Sequence, residues 1–265
     1  MTQDMAHRPR KRFGQNFLHN KGVIDHIIEE FDPDPNFAIV EIGPGKGALT
    51  IPLLKKMGSI NAIEIDTDLA LLLSKKCKEV GDLKLHIGDA LKFDFSKIQP
   101  APLQIIGNLP YNVSTALMFY LLKKISITKI MILMLQKEVV DRICANHNEA
   151  DYGRLSVMIQ SQCQVEKLFN VAPGSFTPAP KVTSAVLKLL PDTGRAGLIK
   201  DVVLFEALVR QAFSQRRKTL RNSLKGLVDV EGFEALSILP TSRAENVSVK
   251  DYVNMANMLY HQQNQ

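Results

Sequence analysis

Short apolar runs rich in Ile, Val and Leu recur through the first half of the chain, separated by longer stretches with helical spacing. FAIVEIG (37–43), INAIEID (60–66), LKLHIGD (83–89), LQIIGN (103–108) and KIMILMLQ (129–136) read as strands buried on both faces, as in a parallel sheet. Between them LTIPLLKKMG, LALLLSKKCKEVG and TALMFYLLKKI read as helices, the first two closing on Gly58 and Gly81 as C-caps. VEKLFNVAP and TSAVLKLLP read as two further strands able to pair as an antiparallel edge. Strand and helix in alternation predict a doubly wound, Rossmann-like α/β domain with a mostly parallel seven-stranded sheet.

After Pro191 the pattern changes. PDTGRAG reads as a linker, and VLFEALVRQAFSQRRKTLRNSLKGL, EGFEALSIL and VKDYVNMANML read as helical throughout. The expected organisation is a large domain over 1–191, with a basic N-terminal segment over 1–20, and a small all-α domain over 192–265. No internal repeat or low-complexity segment interrupts it.

Composition narrows the function classes. With 265 residues and 45% hydrophobic content the chain can bury one large core and a smaller one, and its net charge of +6 suits a polyanionic partner. Cys77, Cys144 and Cys163 form no CxxC and the 6 histidines lack zinc spacing, so reduced thiols and no metal are expected. No apolar run spans a membrane and no signal peptide opens the chain, which places the protein in the cytoplasm by expectation, without a membrane partner.

The first chemical signal is VEIGPGKGALT, residues 40–50, where Gly43, Gly45 and Gly47 follow a strand and open a helix. A ligand can approach backbone there because no Cβ intervenes. About twenty residues on, Glu64 ends the second strand, where an acid can accept hydrogen bonds from both hydroxyls of a ribose. A nicotinamide dinucleotide fits less well, because the spacing is GxGxG and the acidic Glu41 precedes the loop. Asp89 in GDAL ends the third strand, placed to accept from an adenine amine. A tight turn without ligand, or a helix N-cap at Asp89, explains each feature singly; three adjacent strand ends with ligand-type residues are harder to assign to chance.

The fourth strand end is IGNLPYNVST, residues 106–115. An exocyclic adenine amine is a poor nucleophile because its lone pair is delocalised into the ring. To attack a methyl sulfonium the nitrogen must become tetrahedral. The Asn108 side-chain carbonyl and the Leu109 backbone carbonyl, the latter restricted by Pro110, can accept the two N–H groups and favour that nitrogen. Tyr111 offers a ring on which an extruded base can stack.

RKRFGQNFL (10–18), VEIGPGKGALT, AIEID, GDAL, NLPYNVST, FTPAPKVTSAV (176–186) and AFSQRRKTLRNSL (212–224) together resemble the ribosomal RNA adenine dimethyltransferases, most closely the bacterial small-subunit family. The resemblance implies a class I methyltransferase fold. It implies that S-adenosyl-L-methionine donates two methyl groups to each of two adjacent adenosines in the 3′-terminal hairpin of 16S rRNA during small-subunit biogenesis, leaving S-adenosylhomocysteine. It further implies that Asn16 and Leu18 close over the cofactor, that Gly43 meets its amino-acid end, and that Glu64 and Asp89 hold its ribose and adenine. Asn108 then sits between cofactor and target amine, with Leu109, Pro110 and Tyr111 beside it and Phe176 covering the base opposite Tyr111. The implied partner is 16S rRNA in the small subunit or its precursor, approached by a monomer.

Two basic clusters complete the reading. Arg8, Arg10, Lys11 and Arg12 precede the first motif, and Arg216, Arg217, Lys218 and Arg221 fall on an expected helix of the small domain; both sets are expected to hold phosphates. A large-subunit rRNA methylase, a DNA N6-adenine methyltransferase, or an assembly factor whose essential role is binding share parts of this pattern.

Overall fold

A computed structural model of the protein describes residues 15–215 and 217–264. Arg8, Arg10, Lys11, Arg12 and Arg216 therefore lie outside the described residues.

The chain opens with β1 (Phe17–Leu18) and α1 (Lys21–Phe31), then alternates β2 (Ile39–Ile42), α2 (Thr50–Met57), β3 (Ser59–Glu64), α3 (Thr67–Cys77) and β4 (Asp82–Ile87). β5 (Leu103–Asn108), α4 (Ser114–Leu122), β6 (Thr128–Gln136), α5 (Lys137–Cys144) and α6 (Arg154–Gln160) follow. β7 (Cys163–Val171), β8 (Phe176–Thr177) and β9 (Ser184–Pro191) complete the strands. The last helices are α7 (Thr193–Gly197), α8 (Val202–Ala212), α9 (Leu220–Ser223), α10 (Val230–Ala235) and α11 (Val249–Gln263).

Seven strands form one sheet in the order β4-β3-β2-β5-β6-β9-β7. β2 pairs in parallel with both β3 and β5, β3 with β4, and β5 with β6, whereas β9 runs antiparallel to β6. The expected mostly parallel α/β sheet is therefore present. The order reverses between β2 and β5, which leaves a crevice at their carboxyl ends. Gly107 is required beside it, since a Cβ there would stand 2.6 Å from the Ile42 carbonyl oxygen. One face of the sheet packs on α1, α2 and α3 through Ile27, Phe31, Leu53, Leu54, Leu73 and Ile106.

Local readings hold in part. Gly58 caps α2 with φ of 77°, but α3 ends at Cys77 with Lys78 as its cap, short of Gly81. Asp66 starts α3 by accepting the Asp68 N–H. β4 is not buried on both faces: as the edge strand it alternates exposed and half-buried positions.

The described residues divide into two compact units, one running to Val140 and including Glu166–Leu190, the other combining Asp141–Val165 with the residues from Pro191 onward. The sequence pattern leaves 141–165 with the sheet. In the second unit, however, the Tyr152 hydroxyl donates to the Val247 carbonyl at 2.9 Å, and Arg154 meets Glu206 at 2.9 Å. Phe213 packs between the rings of Tyr152 and Tyr252. The expected linker after Pro191 is helical, because Asp192 caps α7 by accepting the Arg195 N–H and also pairs with the Arg195 side chain at 3.1 Å.

The long expected helix through AFSQRRKTLRNSL is broken. α8 stops at Ala212, where the Ser214 hydroxyl donates to the Gln211 carbonyl at 2.7 Å and turns the chain. Arg217 and Lys218 therefore sit in a turn, exposed, and Arg221 is exposed on the four-residue α9.

Candidate functional site

The crevice between β2 and β5 opens into a cavity of about 340 Å³. Asn16, Leu18, Gly43, Glu64, Asp89, Asn108, Leu109, Pro110 and Tyr111 all line it, so nine of the residues that stand out in the sequence meet in one place. Phe176 does not. Its ring is 3% exposed, inside the core with Leu18, Val171 and Val186. It sits on β8, which pairs antiparallel with β1, Leu18 opposite Phe176, so the base-covering role expected of it opposite Tyr111 stays an expectation.

The glycine loop has the backbone its composition demands, with φ of 70° at Gly43, 56° at Gly45 and 89° at Gly47. The Gly43 N–H donates to the Ile63 carbonyl at 2.9 Å and fixes the loop to β3. The Phe17 ring lies over Gly45, where a Cβ would stand 3.2 Å from it, and Lys46 Nζ is 4.7 Å from the centre of that ring.

Glu64 is almost fully buried and held at both oxygens, by the Gly45 N–H at 3.0 Å and the Asp66 N–H at 2.9 Å. Each oxygen keeps a further lone pair for a ligand hydroxyl. Burial raises its pKa against the pull of these bonds. Glu41, deeper in β2, accepts from the Thr50 hydroxyl at 2.7 Å; burial, with the neighbouring Glu64 adding repulsion, pushes its pKa up to about 8. Asp89 accepts the Leu91 N–H at 2.9 Å through Oδ1, so it stiffens its own turn while lining the cavity. Ile65, 46% exposed, adds an apolar wall.

At the end of β5, Asn108 Nδ2 donates to the Asn16 carbonyl at 3.0 Å. A carbonyl can only accept, so this contact fixes the amide's orientation and leaves Oδ1 as the acceptor. The Leu109 N–H donates to the Met134 carbonyl at 3.0 Å, and among the described residues nothing donates to the Leu109 carbonyl. Two acceptors at one strand end, held by rigid neighbours, suit an amine with two N–H groups.

Several contributors escape sequence reading. Gln15 Nε2 donates to the buried Asp66 carboxylate at 3.0 Å, tying the N-terminal segment to the end of β3. The Tyr111 phenol oxygen lies 2.7 Å from Ser184 Oγ. These partners are 51 and 73 positions apart, and only the fold brings them together.

A doubly wound sheet whose reversal point carries a cavity lined by a glycine loop, strand-end acids and the Asn108 amide fits a class I methyltransferase. The model of the ribosomal RNA adenine dimethylase family matches residues 6–261, and the chain belongs to that family. The "Ribosomal RNA small subunit methyltransferase A" of Hahella chejuensis is 48% identical over 261 residues, 98% of this chain and 96% of that protein. Its namesake from Chromobacterium violaceum is 49% identical over 255 residues, 96% and 97% of the two chains. Among solved structures, a dimethyladenosine transferase from Plasmodium falciparum matches with a TM-score of 0.81 at 28% identity, over 94% of this chain and 98% of that one. The 23S rRNA methyltransferase ErmE, at 22% identity over 92% of this chain and 100% of that one and a TM-score of 0.69, shares the fold.

Proposed function

We propose that this chain uses S-adenosyl-L-methionine to dimethylate the N6 amines of two adjacent adenosines in the 3′-terminal hairpin of 16S rRNA, as a cytoplasmic monomer acting on the small subunit or its precursor. The names of the relatives, at nearly full coverage, support the substrate.

The cavity suits the cofactor. Backbone at Gly43 and Gly45 can approach an amino-acid end, Glu64 offers two oxygens to a ribose, and Asp89 offers its carboxylate to an adenine amine. Bound there, the cofactor supplies an electrophilic methyl group on a sulfonium. The protein's part is to present the amine. Asn108 Oδ1 and the Leu109 carbonyl accept its two N–H groups, which favours a tetrahedral nitrogen over a conjugated one. Tyr111 supports the extruded ring from the cavity wall. No strong base is required, since the proton leaves only after the nitrogen has become cationic. The observation that carries this reading is the Asn108 amide held by Asn16, because it presents an acceptor where the chemistry needs one.

Arg217 and Lys218 in an exposed turn, with Arg221 exposed on α9, give the second unit a basic surface suited to phosphates, contacts that hold RNA without reading its sequence. The test is transfer of a labelled methyl group to purified ribosomal subunits. Label in the small-subunit rRNA is expected; label confined to the large subunit, or to neither, overturns the reading.

A further inference from the structure

FTPAPKVTSAV stands out in the sequence for its phenylalanine, yet Phe176 is core. The far end of the same motif reaches Tyr111, a residue of the cavity wall, from behind. Ser184, the first residue of β9, has no exposed surface, and its hydroxyl oxygen is 2.7 Å from the phenol of Tyr111. We propose that Ser184 is a positioning residue for the target base: by holding the Tyr111 phenol it fixes the ring against which the base stacks. The proposal rests on the stacking role of Tyr111 in the proposed function.

The ring is held at both ends. Its phenol meets Ser184, while the Tyr111 carbonyl accepts the Ser114 hydroxyl at 3.1 Å and Pro110 restricts the chain before it. Ser184 is itself rigidly placed: it pairs with Gln136 across β6 and β9, and the Lys137 N–H donates to the preceding Thr183 carbonyl at 2.9 Å. Tyr111 is only half-buried and lines the cavity, while its phenol oxygen is engaged by Ser184. Burial also raises the phenol's pKa, which keeps the hydroxyl protonated and unsuited to act as a base. A phenylalanine would offer the same face without the anchor. What the hydroxyl adds is a fixed angle, and methyl transfer depends on the approach of nitrogen to carbon within fractions of an ångström.

The test is a double-mutant cycle on single-turnover methylation of small subunits at saturating substrate, with Ser184→Ala, Tyr111→Phe and the pair, alongside Tyr111→Ala. Loss of one anchoring hydrogen bond corresponds to about a three- to tenfold fall in rate. Each single variant should show that fall, and the double variant should be no slower than either. Calorimetric cofactor affinity should match the parent in Ser184→Ala, Tyr111→Phe and the pair, which certifies an intact cavity. A Ser184→Ala rate equal to the parent's, or losses that multiply in the double variant, would overturn the proposal. Tyr111→Ala separates the two levels: if it methylates at the parent rate the stacking reading fails, and if it is impaired while Ser184→Ala is not, only the positioning role fails.

Discussion

Asn108 and Asn16, 92 positions apart, share a hydrogen bond of 3.0 Å from the side-chain amide of one to the backbone carbonyl of the other. An N-terminal segment that lines the cavity and the amide proposed to receive the substrate are thus joined directly. Asn16 is in turn flanked by Gln15, bonded to Asp66, and by β1, paired to β8. Disturbing either anchor should be felt at the amide.

Asn108→Ala removes the acceptor and leaves the Asn16 carbonyl without this donor. By comparison with deleting one preorganised hydrogen-bonding group from a transition state, single-turnover methylation should fall by about 10² or more. The fold should persist, because Asn108 is only partly buried and the β5 ladder is main-chain. Equal rates for the two proteins would remove the amide from the mechanism.

Glu41 gives a pH signature. Its pKa is about 8 in the folded protein against an ordinary 4.5, so between those values the native state keeps a proton that the unfolded chain has lost. Stability from this group is fully present below pH 4.5 and declines as pH rises toward about 8. In Glu41→Gln, which keeps an acceptor for the Thr50 hydroxyl, that component of the decline should vanish. Thermal unfolding of both proteins across the range measures it; parallel profiles would mean that Glu41 is ionised in the folded protein.

Much of this architecture was legible in the residues. Apolar runs at strand length located β2, β3, β5 and β6, because a strand covered on both faces has no polar alternation to hide it, and β4 was found by its length and place although the edge leaves it half exposed. Glycines, Glu64, Asp89 and Asn108 were legible as a site since each ends or closely follows a strand, and parallel strands bring their carboxyl ends together. What escaped depends on long-range packing. An apolar aromatic such as Phe176 reads the same whether it faces a base or a core, and serine at 184 carries no signal until β9 is laid beside β6. The helix through residue 213 failed because Ser214 bonds back to the chain, a local competition that hydrophobic spacing does not register.

Phe176→Ala is therefore expected to behave as a core variant. Truncating a fully packed phenylalanine costs about 3–5 kcal/mol, and here it also loosens the partner of Leu18. The melting temperature, the cofactor affinity and the methylation rate should fall together. Unchanged stability and affinity with impaired methylation would return Phe176 to the base-covering role expected from the sequence.

Replacing Arg217, Lys218 and Arg221 by glutamine tests the basic surface. For every phosphate that a side chain no longer neutralises, the slope of log affinity against log salt should flatten by about 0.7–0.9. All three side chains are exposed, so the fold and cofactor binding should be unaffected. Identical slopes for small-subunit binding would place the RNA contacts elsewhere.

The central claim is methylation of adenine in small-subunit RNA through the Asn108 amide, and nucleoside mass spectrometry tests it most directly. Unmethylated small subunits are incubated with cofactor and either the parent protein or Asn108→Ala, and the rRNA is digested to nucleosides. The account predicts that N6,N6-dimethyladenosine appears with the parent and is absent or strongly delayed with the variant. No dimethyladenosine with the parent, or equal amounts formed at equal rates with both, would contradict it.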